Sequence, residues 1–130
     1  MATPRQRGGS SKVRYPKRGE IYLTTLDPTV GREIKKTRPA LVIQNDISNR
    51  LTGLTIVAPI TSTVRFPINP VHVLLPADDR TGLQLTSAAL LNQIRAVDRS
   101  RLSQRIGMAD AETMMQVDEA IKVSLGLLEL

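Results

Sequence analysis

The sequence predicts one small, mostly β (α+β) domain that ends in a single helix, and two patterns along its 130 residues carry this prediction. From Arg18 to about residue 107, the apolar segments are short, rich in β-branched residues and separated by turn-forming residues, which is typical of strands. Beyond residue 110 the apolar residues recur at three and four positions, which is the spacing of an amphipathic helix. We therefore expect a small barrel of strongly bent antiparallel strands with a C-terminal helix.

The predicted strands are separated by clear turn signals. Asp27-Pro28 closes the first strand, and the second contains the continuous apolar run Ala40-Leu41-Val42-Ile43, which indicates burial on both faces. Residues 46–50 are expected to form a single helical turn. Residues 84–97 form an apolar segment longer than an ordinary strand, so we expect it to bend or bulge around the barrel. The first and second strands are predicted at residues 20–26 and 39–45. Two further strands are predicted at residues 54–60 and 71–75.

The C-terminal helix is predicted from five apolar positions that oppose a polar face. Asp110 is a good N-cap candidate, and Glu112 suits the positive end of the helix dipole. The five apolar positions are Met114, Val117, Ile121, Leu125 and Leu128.

Composition limits the chain to one domain and excludes several kinds of chemistry. Val, Ile and Leu must build the core, because 41% of the residues are hydrophobic while the chain holds two Tyr, one Phe and no Trp. The absence of Cys excludes disulfides and thiol nucleophiles, and a single His leaves few ways to hold a metal. No apolar run approaches the ~20 residues that span a bilayer. We expect a soluble, cytoplasmic protein with no membrane partner, no metal and no cofactor.

The net charge of +6 is unevenly distributed. Residues 1–17 hold five basic residues and no acidic one, lack hydrophobic periodicity, and are predicted to form a disordered arm before a domain at residues 18–130. The arm is open to two interpretations, a solvated leader or a segment that contacts RNA.

Within the domain, one short loop concentrates the positive charge. The domain holds 13 basic and 12 acidic residues, so it is nearly neutral as a whole. Residues 31–38, the basic loop, nevertheless contain four cations and only Glu33 as an acid. A phosphate-binding site is expected to begin there. The four cations are Arg32, Lys35, Lys36 and Arg38.

Several familiar motifs are absent or carry no functional signal. The chain has neither a Walker loop nor a GxGxxG loop, which argues against nucleotide-driven chemistry. His72 alternates with apolar residues and is interpreted as a half-exposed strand residue, and Asp78-Asp79 lies in ordinary turn composition. With so few aromatic rings for stacking bases, RNA recognition here would depend on charge, hydroxyls and amides.

Five segments, in this order along the chain, resemble the MazF/PemK toxin family. Each segment alone is a weak signal, but their ordered agreement extends over residues 18–129 and is specific. The segments are Arg18-Gly19-Glu20-Ile21-Tyr22, Asp27-Pro28-Thr29-Val30-Gly31, Arg38-Pro39-Ala40-Leu41-Val42-Ile43-Gln44-Asn45, Ala58-Pro59-Ile60-Thr61-Ser62 and Leu91-Asn92-Gln93-Ile94-Arg95.

The resemblance implies an SH3-like barrel, a homodimer and a set of site residues. The family's catalytic arginine falls on Arg38, and its phosphate-binding threonine falls on Thr61. The late-strand glutamine that supports substrate binding falls on Gln93. The remaining candidate substrate-binding residues are Gly31, Arg32, Glu33, Lys36 and Ser62. The sequence departs from the family at Arg32, where Ser or Ala is common, and at Asn92, where an acid often precedes the glutamine.

The activity implied by the resemblance is sequence-specific, metal-independent cleavage of single-stranded RNA. Attack by the 2′-hydroxyl would leave 2′,3′-cyclic phosphate and 5′-hydroxyl ends, and an antitoxin with an acidic, extended tail would bind the same groove. A guanidinium suits this chemistry because its planar fork of donors holds two phosphate oxygens as negative charge accumulates. Two alternatives remain open on the same fold: a non-catalytic toxin that inhibits DNA gyrase, and a passive RNA-binding module.

Overall fold

The computed structural model describes residues 15–34 and 36–129. Most of the predicted arm, residues 1–14, and Lys35 of the basic loop lie outside the described residues. The described part contains two α-helices, α1 (Asp46–Leu51) and α2 (Ala111–Ser124), and a 3-10 turn at Arg99–Arg101. Its strands are β1 (Glu20–Thr25), β2 (Thr37–Val42), β3 (Leu54–Thr61), β4 (His72–Leu75), β5 (Ser87–Leu90), β6 (Arg95–Asp98) and β7 (Leu102–Met108).

The strands form one antiparallel sheet that bends around β3. The hydrogen-bonded order is β4-β5-β3-β2-β1-β7, and β6 pairs with β3 outside this path. The first half of β3 pairs with β6, and its last two residues pair with β5. One strand therefore belongs to both halves of the curved sheet. The predicted fold class, mostly β with strongly bent antiparallel strands and a C-terminal helix, is confirmed.

The gap between the two edge strands is filled by the loop that follows β4. In the described part of the chain β4 and β7 do not pair, so the sheet itself stays open. Instead, the Met108 N–H on β7 donates a hydrogen bond of 2.9 Å to the Arg80 carbonyl oxygen in that loop. The approach is so close that a Cβ built on Gly107 would lie 2.2 Å from the Thr81 carbonyl carbon. Glycine is therefore required where the loop lies on β7.

The core consists of two apolar clusters on opposite faces of the sheet. Neighbours along one strand, such as Ile21 and Tyr22, belong to different clusters, as side-chain alternation requires. The larger cluster lies between the sheet and α2. The smaller cluster, on the second face, consists of Tyr22, Leu26, Ala40, Val42, Val57 and Val97, with Ile34 and Leu102 packed against it.

Three strand predictions need correction. β2 begins at Thr37, not at residue 39, so Arg38 lies inside the strand. The single bent segment predicted at residues 84–97 is two strands, β5 and β6, separated by a turn over residues 91–94. β7 was not predicted as a separate strand, because its largely exposed polar residues, Ser103 to Arg105, give no apolar alternation.

Helix α2 begins as predicted and ends earlier than the apolar pattern suggests. The Asp110 carboxylate caps it by accepting a hydrogen bond of 2.8 Å from the Thr113 N–H. The helix ends at Ser124, so Leu125 and Leu128 lie beyond it and are 56% and 42% exposed. Within residues 15–34 and 36–129, no helix is both long enough and apolar enough to cross a membrane.

Candidate functional site

Arg38 and Thr61 lie at corresponding positions of the neighbouring strands β2 and β3, just beyond the end of their hydrogen-bonded ladder. The ladder between β2 and β3 ends with Ala40 opposite Pro59, and the same register continued by two residues sets Arg38 opposite Thr61. On its other side, Arg38 is paired with the buried Thr24 of β1. The Thr61 hydroxyl oxygen accepts a hydrogen bond of 3.1 Å from the Thr63 N–H, which fixes its position where β3 ends. The strand register thus aligns the two residues to which the resemblance gave catalytic roles.

A cavity of about 410 Å³ opens beside Arg38. Ser62 lines it, together with Pro39 and Gln84. Gly82, from the loop that lies on β7, also lines it. The loop that fills the gap in the barrel therefore also shapes the surroundings of Arg38.

Three of the other candidate residues line a second, larger pocket of about 620 Å³. One wall is the β1–β2 loop (residues 26–36), which contributes Arg32 and Glu33. The opposite wall is the turn before β6 and β6 itself, which contribute Gln93 and Arg95. Of the predicted site residues, Arg38 and Ser62 line the smaller cavity and Arg32, Glu33 and Gln93 line the larger pocket, whereas Thr61, Gly31 and Lys36 line neither.

Hydrogen bonds define the backbone of the β1–β2 loop at its described residues, 26–34 and 36. Gly31 has a φ of 59°, in the left-handed region that favours glycine. The Glu33 carboxylate accepts a hydrogen bond of 2.6 Å from the Val30 N–H, so Glu33 stabilises the turn around Gly31. Lys36 also has a left-handed φ, of 72°, and its N–H donates to the Asp27 carboxylate at 3.1 Å. These contacts set the path by which the chain reaches Arg38.

Gln93 joins this loop to the opposite wall of the pocket. Its Oε1 accepts a hydrogen bond of 2.8 Å from the Ile34 N–H, across 59 residues of sequence. Among the described residues its side-chain NH2 has no hydrogen-bond partner, so this donor faces a ligand or solvent. The resemblance gave Gln93 a role in substrate binding, and the geometry adds a second role in holding the loop.

Arg38, Thr61 and Arg95 lie on the same face of the sheet. Ala40 and Val57 belong to the smaller apolar cluster and so lie on the second face of the sheet. Arg38 is two residues from Ala40 in β2, and Thr61 is four residues from Val57 in β3, so strand alternation places Arg38 and Thr61 on that face as well. Arg95 pairs with Val57 and shares that face. Leu26 and Val97, which belong to the apolar cluster of this face, line the larger pocket. Arg38 thus lines the smaller cavity while sharing its face with the larger pocket.

Sequence reasoning missed two arginines of this site. Arg95 was quoted only as part of a motif, and Arg101 was not considered. Arg101 donates from Nη1 to the Thr25 carbonyl oxygen at 3.1 Å, and it also donates to the Asp27 carbonyl oxygen. It thereby fixes the start of the β1–β2 loop. No local pattern identifies either residue, because their importance depends on pairing across the sheet.

Tyr22 and His72 are poorly placed to act as general bases. The Tyr22 hydroxyl donates to the Glu20 carboxylate at 3.0 Å, and burial together with this carboxylate raises the pKa of Tyr22 far above its usual value of 10.0. Tyr22 is therefore protonated at neutral pH. His72 is half-exposed on β4, as predicted, and lines two other grooves that include neither Arg38 nor Thr61. In the described part of the chain, no group of three or more His, Cys, Asp or Glu residues is arranged to hold a metal.

Comparison with known proteins identifies the family. A family model described as PemK-like, MazF-like toxin of type II toxin–antitoxin system matches residues 17–125. The chain belongs to this family. Endoribonuclease EndoA of Bacillus subtilis (strain 168) is 45% identical over 113 residues, which cover 87% of this chain and 97% of EndoA.

Solved structures agree with this assignment. MazF from Deinococcus radiodurans is 30% identical with a TM-score of 0.73, over 86% of this chain and 97% of that one. An endoribonuclease in complex with its cognate antitoxin from a mycobacterial species is 25% identical with a TM-score of 0.71, over 88% and 99% of the two chains. The family's fold is therefore the fold of this chain.

Proposed function

We propose that this chain is the toxin of a toxin–antitoxin pair and acts as a sequence-specific endoribonuclease on single-stranded RNA. The observation that carries the proposal is the register of β2 and β3, which, continued by two residues, sets Arg38 opposite Thr61 on the face of the sheet that bears the larger pocket. Membership of the toxin family and 45% identity to an endoribonuclease support it. The proposed site consists of Arg38 and Thr61 as catalytic residues, with Gly31, Arg32, Glu33, Lys36, Ser62 and Gln93 binding substrate.

The proposed reaction is an internal transesterification of RNA. The 2′-oxygen bonds to the adjacent phosphorus as its proton leaves, and the bond from phosphorus to the 5′-oxygen breaks as that oxygen gains a proton. The products are a 2′,3′-cyclic phosphate and a 5′-hydroxyl. The negative charge on the phosphorane oxygens is greatest midway, so preorganised donors accelerate the step by binding this state more tightly than the substrate.

Arg38 and Thr61 are suited to that stabilising role. A guanidinium offers two parallel N–H donors to phosphate oxygens, and the Thr61 hydroxyl can add a neutral donor. Arg38 is not proposed as a proton carrier, because the pKa of a guanidinium exceeds ~12. Arg38→Lys keeps the charge and loses the fork, so we expect cleavage to slow about 100-fold, similar to the loss of one preorganised donor. A lysine variant with full activity would contradict this role.

The proposed partners follow from the charge of the site and from the relatives. Arg32, Arg95 and Arg101 line the larger pocket against one acid, Glu33, so an acidic, extended antitoxin tail would be attracted to the surface that binds RNA. Inhibition would then be competitive. A solved mycobacterial relative is in complex with its cognate antitoxin, which supports an antitoxin partner. A homodimer and a cytoplasmic location are further parts of the proposal.

A cleavage assay tests the proposed activity. The purified chain is incubated in EDTA with a long single-stranded RNA, and the fragment ends are mapped for the wild type and for Arg38→Ala. We expect discrete cuts with 5′-hydroxyl ends in the wild type and none in the variant. Bound but intact RNA would favour a passive binding module. RNA that is neither bound nor cut, together with inhibition of DNA supercoiling by gyrase, would favour a gyrase inhibitor.

A further inference from the structure

The larger pocket combines an excess of positive charge with an apolar floor. Its charged lining residues are three arginines and one glutamate, and Leu26, Ile94 and Val97 supply the apolar surface. Its volume of about 620 Å³ falls in the range of small-molecule sites, about 300–1,000 Å³. A ligand that fits this chemistry has one anionic group and one flat, largely apolar group, as a nucleotide does.

Arg95 is the half-buried cation that the fold leaves for such a ligand, because Arg32 lines the same pocket but is exposed to solvent. Arg101 is committed to the carbonyl oxygens of Thr25 and Asp27. Glu33 accepts from the Val30 N–H and forms no ion pair with Arg95. Arg95 is half-buried, and within residues 15–34 and 36–129 it has no hydrogen-bond or ion-pair partner. Partly removing a guanidinium from water without a partner is unfavourable, so an incoming phosphate would be bound there with little competition.

The position of Arg95 relative to Arg38 suits one RNA strand. Arg95 is paired with Val57, which lies four residues before Thr61 in β3. At about 3.3 Å per residue, the two points are ~13 Å apart along the strand. Both lie on the same face of the sheet, so a single strand of RNA can contact both.

We propose that Arg95 holds a second phosphate of the RNA, a few nucleotides from the scissile one, and that the unpaired base beside it enters the larger pocket. The base would lie on Leu26 and Val97, with the Asn92 amide and the Gln93 NH2 at the pocket wall as hydrogen-bonding groups. Asn92 and Gln93 would then help to set base preference. This inference rests on the proposed function and adds a second point of contact to it.

A charge-neutralisation scan of the substrate tests the second contact. The probe is a single-stranded RNA that contains the mapped cleavage sequence, with a 2′-deoxy sugar at the scissile nucleotide to prevent cleavage. A series of such oligonucleotides each carries one uncharged methylphosphonate in place of a phosphate. For the wild type we expect affinity to fall at two separate positions, the scissile phosphate and one other, by roughly 10-fold for a lost charged hydrogen bond.

Variants assign the second position to Arg95. In Arg95→Gln we expect the second fall in affinity to disappear, and the slope of log affinity against log salt to decrease by about 0.7. Arg50→Gln is the matched control, because Arg50 is exposed on α1 and lines neither pocket. For a cleavable RNA, Arg95→Gln should raise KM roughly 10-fold with little change in kcat, since the contact exists before and during the reaction.

The outcomes separate this inference from the proposed function. A wild-type chain that binds and cuts no RNA would overturn both. A chain that cuts RNA but shows only one sensitive phosphate would overturn the second contact and leave the nuclease intact. Two sensitive phosphates that both persist in Arg95→Gln would assign the second contact to another residue and overturn the role of Arg95. If Arg95→Gln fails to fold, the wild-type scan still tests whether a second phosphate contact exists. Arg95→Lys then replaces Arg95→Gln as the variant that tests whether Arg95 makes this contact.

Discussion

Replacing Gln93 by Leu removes the hydrogen bond that joins the β1–β2 loop to the opposite wall of the pocket. The bond runs from the Ile34 N–H to Gln93 Oε1 at 2.8 Å, and Ile34 is half-buried against the smaller core cluster. Leucine keeps a similar volume and removes both amide groups. The variant therefore leaves a half-buried backbone donor without its partner.

The expected cost follows from this geometry. A neutral hydrogen bond contributes about 0.5–1.5 kcal/mol net, and a buried donor left without a partner costs about 1–3 kcal/mol. Because Ile34 is only half-buried, water recovers part of this loss, and we expect the loop to open more easily by about 1–2 kcal/mol. This corresponds to a 5- to 30-fold increase in the population of the open loop.

Amide hydrogen exchange measures this opening directly. The Ile34 N–H should exchange roughly 5- to 30-fold faster in Gln93→Leu than in the wild type. Gln93→Glu is the matched variant, because its carboxylate still accepts from the Ile34 N–H while the NH2 donor is lost. We expect it to retain slow exchange and to bind RNA more weakly. Equal exchange rates at Ile34 in the wild type and in Gln93→Leu would refute the role of Gln93 in holding the loop.

Three further predictions concern stability. Gly107→Ala forces a Cβ to within 2.2 Å of the Thr81 backbone and should lower the free energy of unfolding by about 3 kcal/mol, measured by thermal melting. Gly53→Ala is the control, because open space surrounds Gly53 and the substitution should not lower stability. Equal melting temperatures for the two variants would contradict the packing of the loop on β7. Asn49→Ala removes a fully buried amide and with it four hydrogen bonds, so the free energy of unfolding in urea should fall by roughly 3 kcal/mol. A fall of less than about 0.5 kcal/mol would contradict this. The helix-capping hydrogen bond from Thr113 lowers the pKa of Asp110 in the folded protein below its usual 3.8. The ionised carboxylate therefore stabilises the fold above pH 3.8, and this stabilisation is lost as the pH falls through the pKa of the folded state. Asp110→Asn should therefore show a smaller loss of stability on acidification than the wild type, and an identical pH profile would argue against the cap.

Much of the fold could be predicted because its signals are local. The alternation and turn residues of β1, the apolar run of β2 and the capped amphipathic pattern of α2 each extend over a few adjacent residues. The break between β5 and β6 could not be predicted in this way. Leu91 is fully buried at the corner, so the apolar run continues through the turn, and both strands pair with the same β3.

The site was predictable only where a family motif marks it. Arg38, Thr61 and Gln93 were found by resemblance, and no local pattern shows that Arg38 lies opposite Thr61. The contribution of Arg95 depends on its pairing with Val57, a contact between residues 38 positions apart in sequence. The same limit applies to the contact of the loop after β4 with β7, which depends on small residues in two distant segments.

The central claim is that Arg38 and Thr61 act together on one phosphate, and a double-mutant cycle on RNA cleavage tests it most directly. The measurement is kcat/KM of the wild type, Arg38→Ala, Thr61→Val and the double variant on the same RNA. Two residues that stabilise one developing charge are coupled, so we predict a loss of about 100-fold or more for Arg38→Ala and a double-variant loss well below the product of the single losses. Unchanged cleavage by Arg38→Ala, or losses that simply multiply, would contradict the account.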